Sequence, residues 1–123
     1  MDSISIDIKK LLVKYRKWAI QHGQGSSEGD YRKTNKAYKE LTKIFNLFEN
    51  NQKIADIILS ILLRDDDVNT RIFAASHSLG LSKYIEQSKE VLKQIANEKK
   101  FGIISFNAEM TLRVWEKQGY LKF

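Results

Sequence analysis

Two histidines, His22 and His77, and a run of three aspartates, Asp65-Asp66-Asp67, are the groups in this 123-residue chain best suited to acid–base or metal chemistry. Their spacing offers little. The histidines fall on different predicted helices. Neither lies in the His-x-x-x-His or His-Glu-x-x-His arrangement that turns two imidazoles toward one zinc ion. A calcium loop spaces its oxygens at alternate positions around a glycine, and no such spacing follows Asp65. The run instead suits a helix N-terminus, where a carboxylate accepts hydrogen bonds from free amides. With no cysteine there is no thiolate nucleophile and no Cys-based zinc site. No serine stands in a Gly-x-Ser-x-Gly elbow. Glycines 23, 25 and 29 cluster, but no strand precedes them and no Gly-Lys-Ser/Thr follows, as a phosphate cradle requires. The expectation is a chain that is not an enzyme, with no catalytic residue, metal or cofactor.

The elements that position these groups are predicted to be helical throughout. Proline is absent and glycine is sparse beyond residue 29, so hard breaks are few. The first helix should begin near Ser5 or Asp7 and run to about His22. Ile8, Leu11, Leu12, Tyr15, Trp18 and Ala19 line one face of it, with a basic stripe of Lys10, Lys14 and Lys17 beside them. Gly23 is expected to cap it, and residues 23–29 to form a flexible hairpin loop. Further helices are predicted over about 30–48, 53–63, 68–79, 83–99 and 101–117, closed by Gly119. The third, rich in isoleucine and nearly apolar all round, should lie at the centre of the stack. Trp18 and Trp115 fall on apolar stripes and read as core.

Charge is unevenly placed. The chain carries a net +6; residues 1–53 hold 11 Lys/Arg against 6 Asp/Glu, and residues 54–123 hold 10 against 9. A basic first half suggests an acidic partner, protein or nucleic acid, or else a solvated lysine-rich exterior. No window approaches the roughly 18–20 apolar residues of a membrane span. The first residues lack the basic and apolar regions of a secretory signal. The expectation is one cytoplasmic, monomeric domain over residues 1–123 with no membrane contact.

Three helices share a small-x-x-x-Leu step: Ala37 to Leu41, Ala75 to Leu79 and Ala108 to Leu112. They are spaced by 38 and 33 residues, each the length of a helix–turn–helix unit. A small residue lets two helix axes approach, and leucine one turn later fills the groove beside it. Each instance falls on the second helix of a predicted pair.

The middle unit runs from Leu62-Leu63 through Asp65-Asp66-Asp67, Val68, Arg71 and Ala74-Ala75 to Leu79-Gly80. It resembles the HEAT-repeat signature of a Leu-Leu helix end, an acidic turn, Val, Arg, Ala-Ala and Leu-Gly. The resemblance is loose over residues 88–119 and looser over 7–49. The stretch Phe106 to Gly119 also resembles the end of a family of short bacterial HEAT-like proteins known only as a domain of unknown function. The resemblance implies an all-α fold of about six helices in three stacked antiparallel hairpins, a HEAT/armadillo-like right-handed superhelix. It implies that Arg71 bonds the acidic turn. It also implies a non-enzymatic, protein-binding role, since some small proteins of this kind are immunity proteins that neutralise a toxin.

In such stacks the second helices line a concave face. Carrying the repeat offsets across places Arg71, Ala74 and His77 there, with Ile104, Asn107 and Met110 on one side and Lys33, Lys36 and Lys39 on the other. The candidate partner-binding residues are therefore Lys33, Lys36, Lys39, Arg71, His77, Asn107 and Met110. Such a groove suits an acidic protein surface, with Met110 favouring protein. The alternative is a nucleic-acid-binding domain that uses the basic N-terminal helices.

Overall fold

The computed structural model describes residues 7–123, so Ser5 as a helix cap lies outside the described residues. Six α-helices follow one another: α1 (Ile8–Glu28), α2 (Tyr31–Asn50), α3 (Gln52–Leu62), α4 (Val68–Gly80), α5 (Ile85–Asn97) and α6 (Ile103–Gln118), with a 3-10 turn over Lys99–Phe101 before α6. No strand occurs among the described residues. No helix there is long and apolar enough to cross a membrane.

Aspartate starts three of these helices. Asp7, Asp30 and Asp67 accept from the backbone N–H of Lys10, Lys33 and Thr70, which satisfies amides that have no partner within the helix. Asp67 Oδ2 also takes the Thr70 hydroxyl at 2.9 Å. Helices α2 and α3 are separated by Asn51 alone. Its side chain donates backward to Leu47 O at 2.9 Å and so closes α2 rather than capping α3. Glycines 102 and 119, both at positive φ, mark the two ends of α6.

The expected loop over residues 23–29 is mostly helix. α1 continues to Glu28 and turns only at Gly29, which takes the left-handed conformation (φ 71°). Gly23 and Gly25 are buried inside the helix because other chain segments lie against them. A Cβ on Gly23 would overlap the Asn69 side chain, and one on Gly25 would meet Thr34 Oγ1. These glycines permit close approach and do not break the helix.

The backbone packs as α1 on α2, α5 on α6 and α4 on α5, with α1 also lying along α4. The expectation that α3 is central is corrected: α4 occupies the middle and touches α1, α3, α5 and α6. Eight of its 13 residues are buried. α3 lies at the edge and leaves Ile57 and Ile61 at 43% and 47% exposure. All three small-x-x-x-Leu steps are buried. So is Trp18, while Trp115 is half-buried against the same core.

The acidic turn is tied to α1 through Asp65, while Asp67 caps its own helix. Asp65 Oδ2 accepts from Arg16 Nε at 2.6 Å and Asp65 Oδ1 from Asp67 N at 2.8 Å. The bond expected from Arg71 is thus made by Arg16, because α1 passes beside the turn while Arg71 points toward α5.

Candidate functional site

α4 forms the floor of a cleft of about 430 Å³ through Asn69, Ile72, Phe73 and Ser76. His22, Ser26 and Tyr38 build one wall from α1 and α2, and Ile104, Asn107, Met110, Thr111 and Val114 build the other from α6. Leu121, Lys122 and Phe123 complete the lining. The tail reaches the cleft because Gly119 turns it out of α6 and Gln118 Nε2 donates to Tyr120 O at 2.8 Å. Phe123 then lies over Gly80, where a Cβ would come within 2.6 Å of its ring, and packs on Phe45 with ring centroids 4.6 Å apart.

Among the described residues no Asp or Glu side chain lines this cleft, and Lys122 is its one lysine or arginine. Its apolar wall stays open to solvent, with Met110 and Val114 at 40% and 39% exposure. His22 packs edge-on against Phe73, with ring centroids 4.8 Å apart, and burial lowers its pKa. The arrangement suits an apolar group flanked by neutral hydrogen-bonding partners, the usual make-up of a preformed binding pocket.

The residues expected to share one groove are dispersed. Asn107 and Met110 do line the cleft. His77 does not: only 1% of it is exposed, so the expectation of an exposed groove residue is corrected, as it is for the fully buried Ala74. Arg71 lies on another side of α4, in a polar recess with Gln94, Asn97, Glu98 and Lys100. Its Nε is buried without a hydrogen-bond partner. Lys33 pairs with Glu28 at 3.4 Å, Lys36 stands over the Trp18 ring at 5.8 Å, and Lys39 is exposed. The reason is helical pitch. Positions taken in steps of three drift about 60° per step, so the third lies about 120° from the first. The true stripes are Asn69, Phe73 and Ser76 on α4, and Ile104, Asn107, Thr111 and Val114 on α6. Steps of three and four alternate in both, and that periodicity was available in the sequence.

His77 sits among aromatic rings. Tyr15, Phe45, Phe48, Phe73 and Phe123 have centroids 5.0–6.5 Å from its own. Its Nδ1 is 2.7 Å from Tyr15 Oη. Burial drives its pKa down to about 3 and raises that of Tyr15 well above the ordinary phenol value. Both are neutral near pH 7, and the pair is a structural hydrogen bond within the core.

A second surface lies on the α1–α2 hairpin. Lys17 Nζ and Lys36 Nζ stand 4.8 Å and 5.8 Å from the centroid of the Trp18 ring. Further along, Lys43 donates to Glu40 at 3.1 Å. That hydrogen bond, aided by the charges of Lys43, Lys14 and Lys36, holds the Glu40 carboxyl below its ordinary pKa. The basic stripe of α1 thus faces Lys36 and Lys43 of α2.

Comparison with family models, with curated proteins and with solved structures finds no match for this chain.

Proposed function

We propose that this chain is a non-enzymatic protein-binding module built from stacked helical hairpins of the HEAT kind, and that the α4–α6 cleft receives an apolar segment of the partner. The observation that carries the reading is the lining of that cleft. Met110 and Val114 are well exposed beside Phe73 and Ile104, and no Asp or Glu side chain of the described residues stands among them. Apolar and aromatic side chains that exclude water at the centre of an interface supply most of its binding energy, and Met adapts to the shape of what it meets. The +6 net charge favours a partner with an acidic surface.

The buried alanine–leucine steps on α2, α4 and α6 support the repeat reading, since each allows a close helix crossing. The likeness of residues 106–119 to short bacterial HEAT-like proteins supports a more specific role, that of an immunity protein which neutralises a toxin by covering it. In that role the chain acts as a monomer in the cytoplasm.

Affinity capture from the source cell's lysate, treated with nuclease, tests this. One stoichiometric protein is expected with the wild-type chain and not with Met110→Lys/Val114→Glu. Both substituted side chains are exposed, so the variant should fold. Capture that is indifferent to these substitutions would place the interface elsewhere.

A further inference from the structure

We infer that the lysine face of the α1–α2 hairpin is a separate site for the phosphate backbone of nucleic acid, bound without sequence preference. On α1, Lys10, Lys14 and Lys17 rise along the helix in steps of about 6 and 4.5 Å. Lys9 flanks the same stretch, where Lys9, Lys10, Val13, Lys14, Lys17 and Trp18 line a shallow depression. On α2, Lys36 and Lys43 oppose this row across Trp18 and Glu40. Among the described residues, six lysines therefore share a surface with two carboxylates, Asp7 and Glu40. Asp7 lies 3.9 Å from Lys10, and Glu40 is paired with Lys43. Among the described residues, Lys14, Lys17 and Lys36 form no ion pair.

The chemistry of this face selects among polyanions. An interfacial membrane helix needs bulky apolar side chains to bury in lipid. Here the apolar side of α1 is turned inward on Tyr15, Trp18 and Ala19, and the large apolar side chain left outside is Val13, 68% exposed. A protein interface is depleted in lysine and is anchored by exposed aromatic or apolar groups, whereas Trp18 is 9% exposed beneath two lysines. A duplex offers one charge per about 1.7 Å of axis and asks only for cations in rows. Lysine acts on phosphate as a compact point charge on a flexible stem, without the fixed planar fork of arginine, and contacts to phosphate carry no sequence information. Binding is therefore general, and it uses none of the residues of the cleft.

Fluorescence anisotropy with fluorescein-labelled 20-base-pair duplexes of two unrelated sequences tests this between 50 and 200 mM salt. Both duplexes should bind equally, with a log–log salt slope of about −3 to −5, as four or five phosphate contacts require. Lys14→Glu/Lys17→Glu/Lys36→Glu should weaken binding at least about tenfold at 100 mM salt with an unchanged melting temperature. Lys93→Glu/Lys117→Glu, on α5 and α6, should not. Equal binding by the triple variant and wild type, or no binding by the wild type, overturns the proposal. So does binding to phosphatidylglycerol vesicles without binding to duplex, which would make the face a lipid-surface site.

Discussion

Tyr15 and His77 meet across the centre of the molecule, phenol oxygen to Nδ1 at 2.7 Å, and join α1 to α4 where both side chains are buried. Removing one partner leaves the other unpaired in the core, which costs about 1–3 kcal/mol, whereas replacing both by apolar groups costs much less. Tyr15→Phe and His77→Leu should each lower stability by about that amount. The double variant should lose clearly less than the two losses added. Urea unfolding of the four proteins checks this, and strict additivity would show that the bond contributes nothing.

The same histidine makes the fold acid-sensitive. An unfolded His77 takes up a proton near pH 6.5, but burial holds the folded imidazole neutral down to about pH 3. Its contribution is fully present above pH 6.5 and is lost as the pH falls toward 3, at up to about 1.4 kcal/mol per pH unit. His22, also lowered by burial, adds to the same trend. Unfolding free energies measured from pH 7 to 4 should fall in the wild type and fall less steeply in His77→Leu.

Gly23 inside α1 and Gly29 at its C-cap should respond differently to alanine. Gly23→Ala places a methyl group against Asn69 and should cost about 1–3 kcal/mol by overpacking. Asn69→Ala should restore much of that. Gly29 has nothing within 4 Å but sits at φ +71°, so Gly29→Ala should cost about 1–2 kcal/mol through backbone strain. No neighbouring substitution should rescue it, while Gly29→Asn should be better tolerated. Thermal melts of the single and paired variants distinguish the two causes.

Asp67 holds the first turn of α4 through Thr70, whose backbone N–H and hydroxyl both donate to one carboxylate oxygen. Asp67→Ala should destabilise the chain by about 1–2 kcal/mol. Asp66, exposed and without a hydrogen bond of this kind, should tolerate alanine with little change. Chemical denaturation of both variants is the check.

The caps at Asp67 and Gly119 and the alanine–leucine steps were legible because they depend on neighbours within a turn or two. Gly23, expected to end α1, lies inside it instead. The centre of the molecule was not legible from hydropathy. α4 buries Thr70, Ser76, His77 and Ser78, polar residues that look peripheral in sequence. Ser76 is accommodated because its hydroxyl donates back to Ile72 O at 2.8 Å, which removes most of the cost of burying it. Isoleucine-rich α3 looked central and is an edge. Of the cleft, only the α6 residues Ile104, Asn107 and Met110 were visible. The α4 side was displaced because Arg71, Ala74 and His77 are spaced by threes, and such positions drift around the helix. The close approach of Asn69 to Gly23, 46 positions earlier in the chain, is a tertiary contact that no local pattern announces.

Because α1 runs unbroken through Gly23 and Gly25, it acts as a ruler. Its first half carries Lys10, Lys14 and Lys17, and its far end carries His22 and Ser26 into the cleft wall. From Lys14 to His22 the helix advances about 12 Å with no joint between them. A polyanion on the lysines and a protein segment in the cleft would therefore be held at a set distance, able to occupy the molecule together. The chain would then work as a fixed spacer between two ligands.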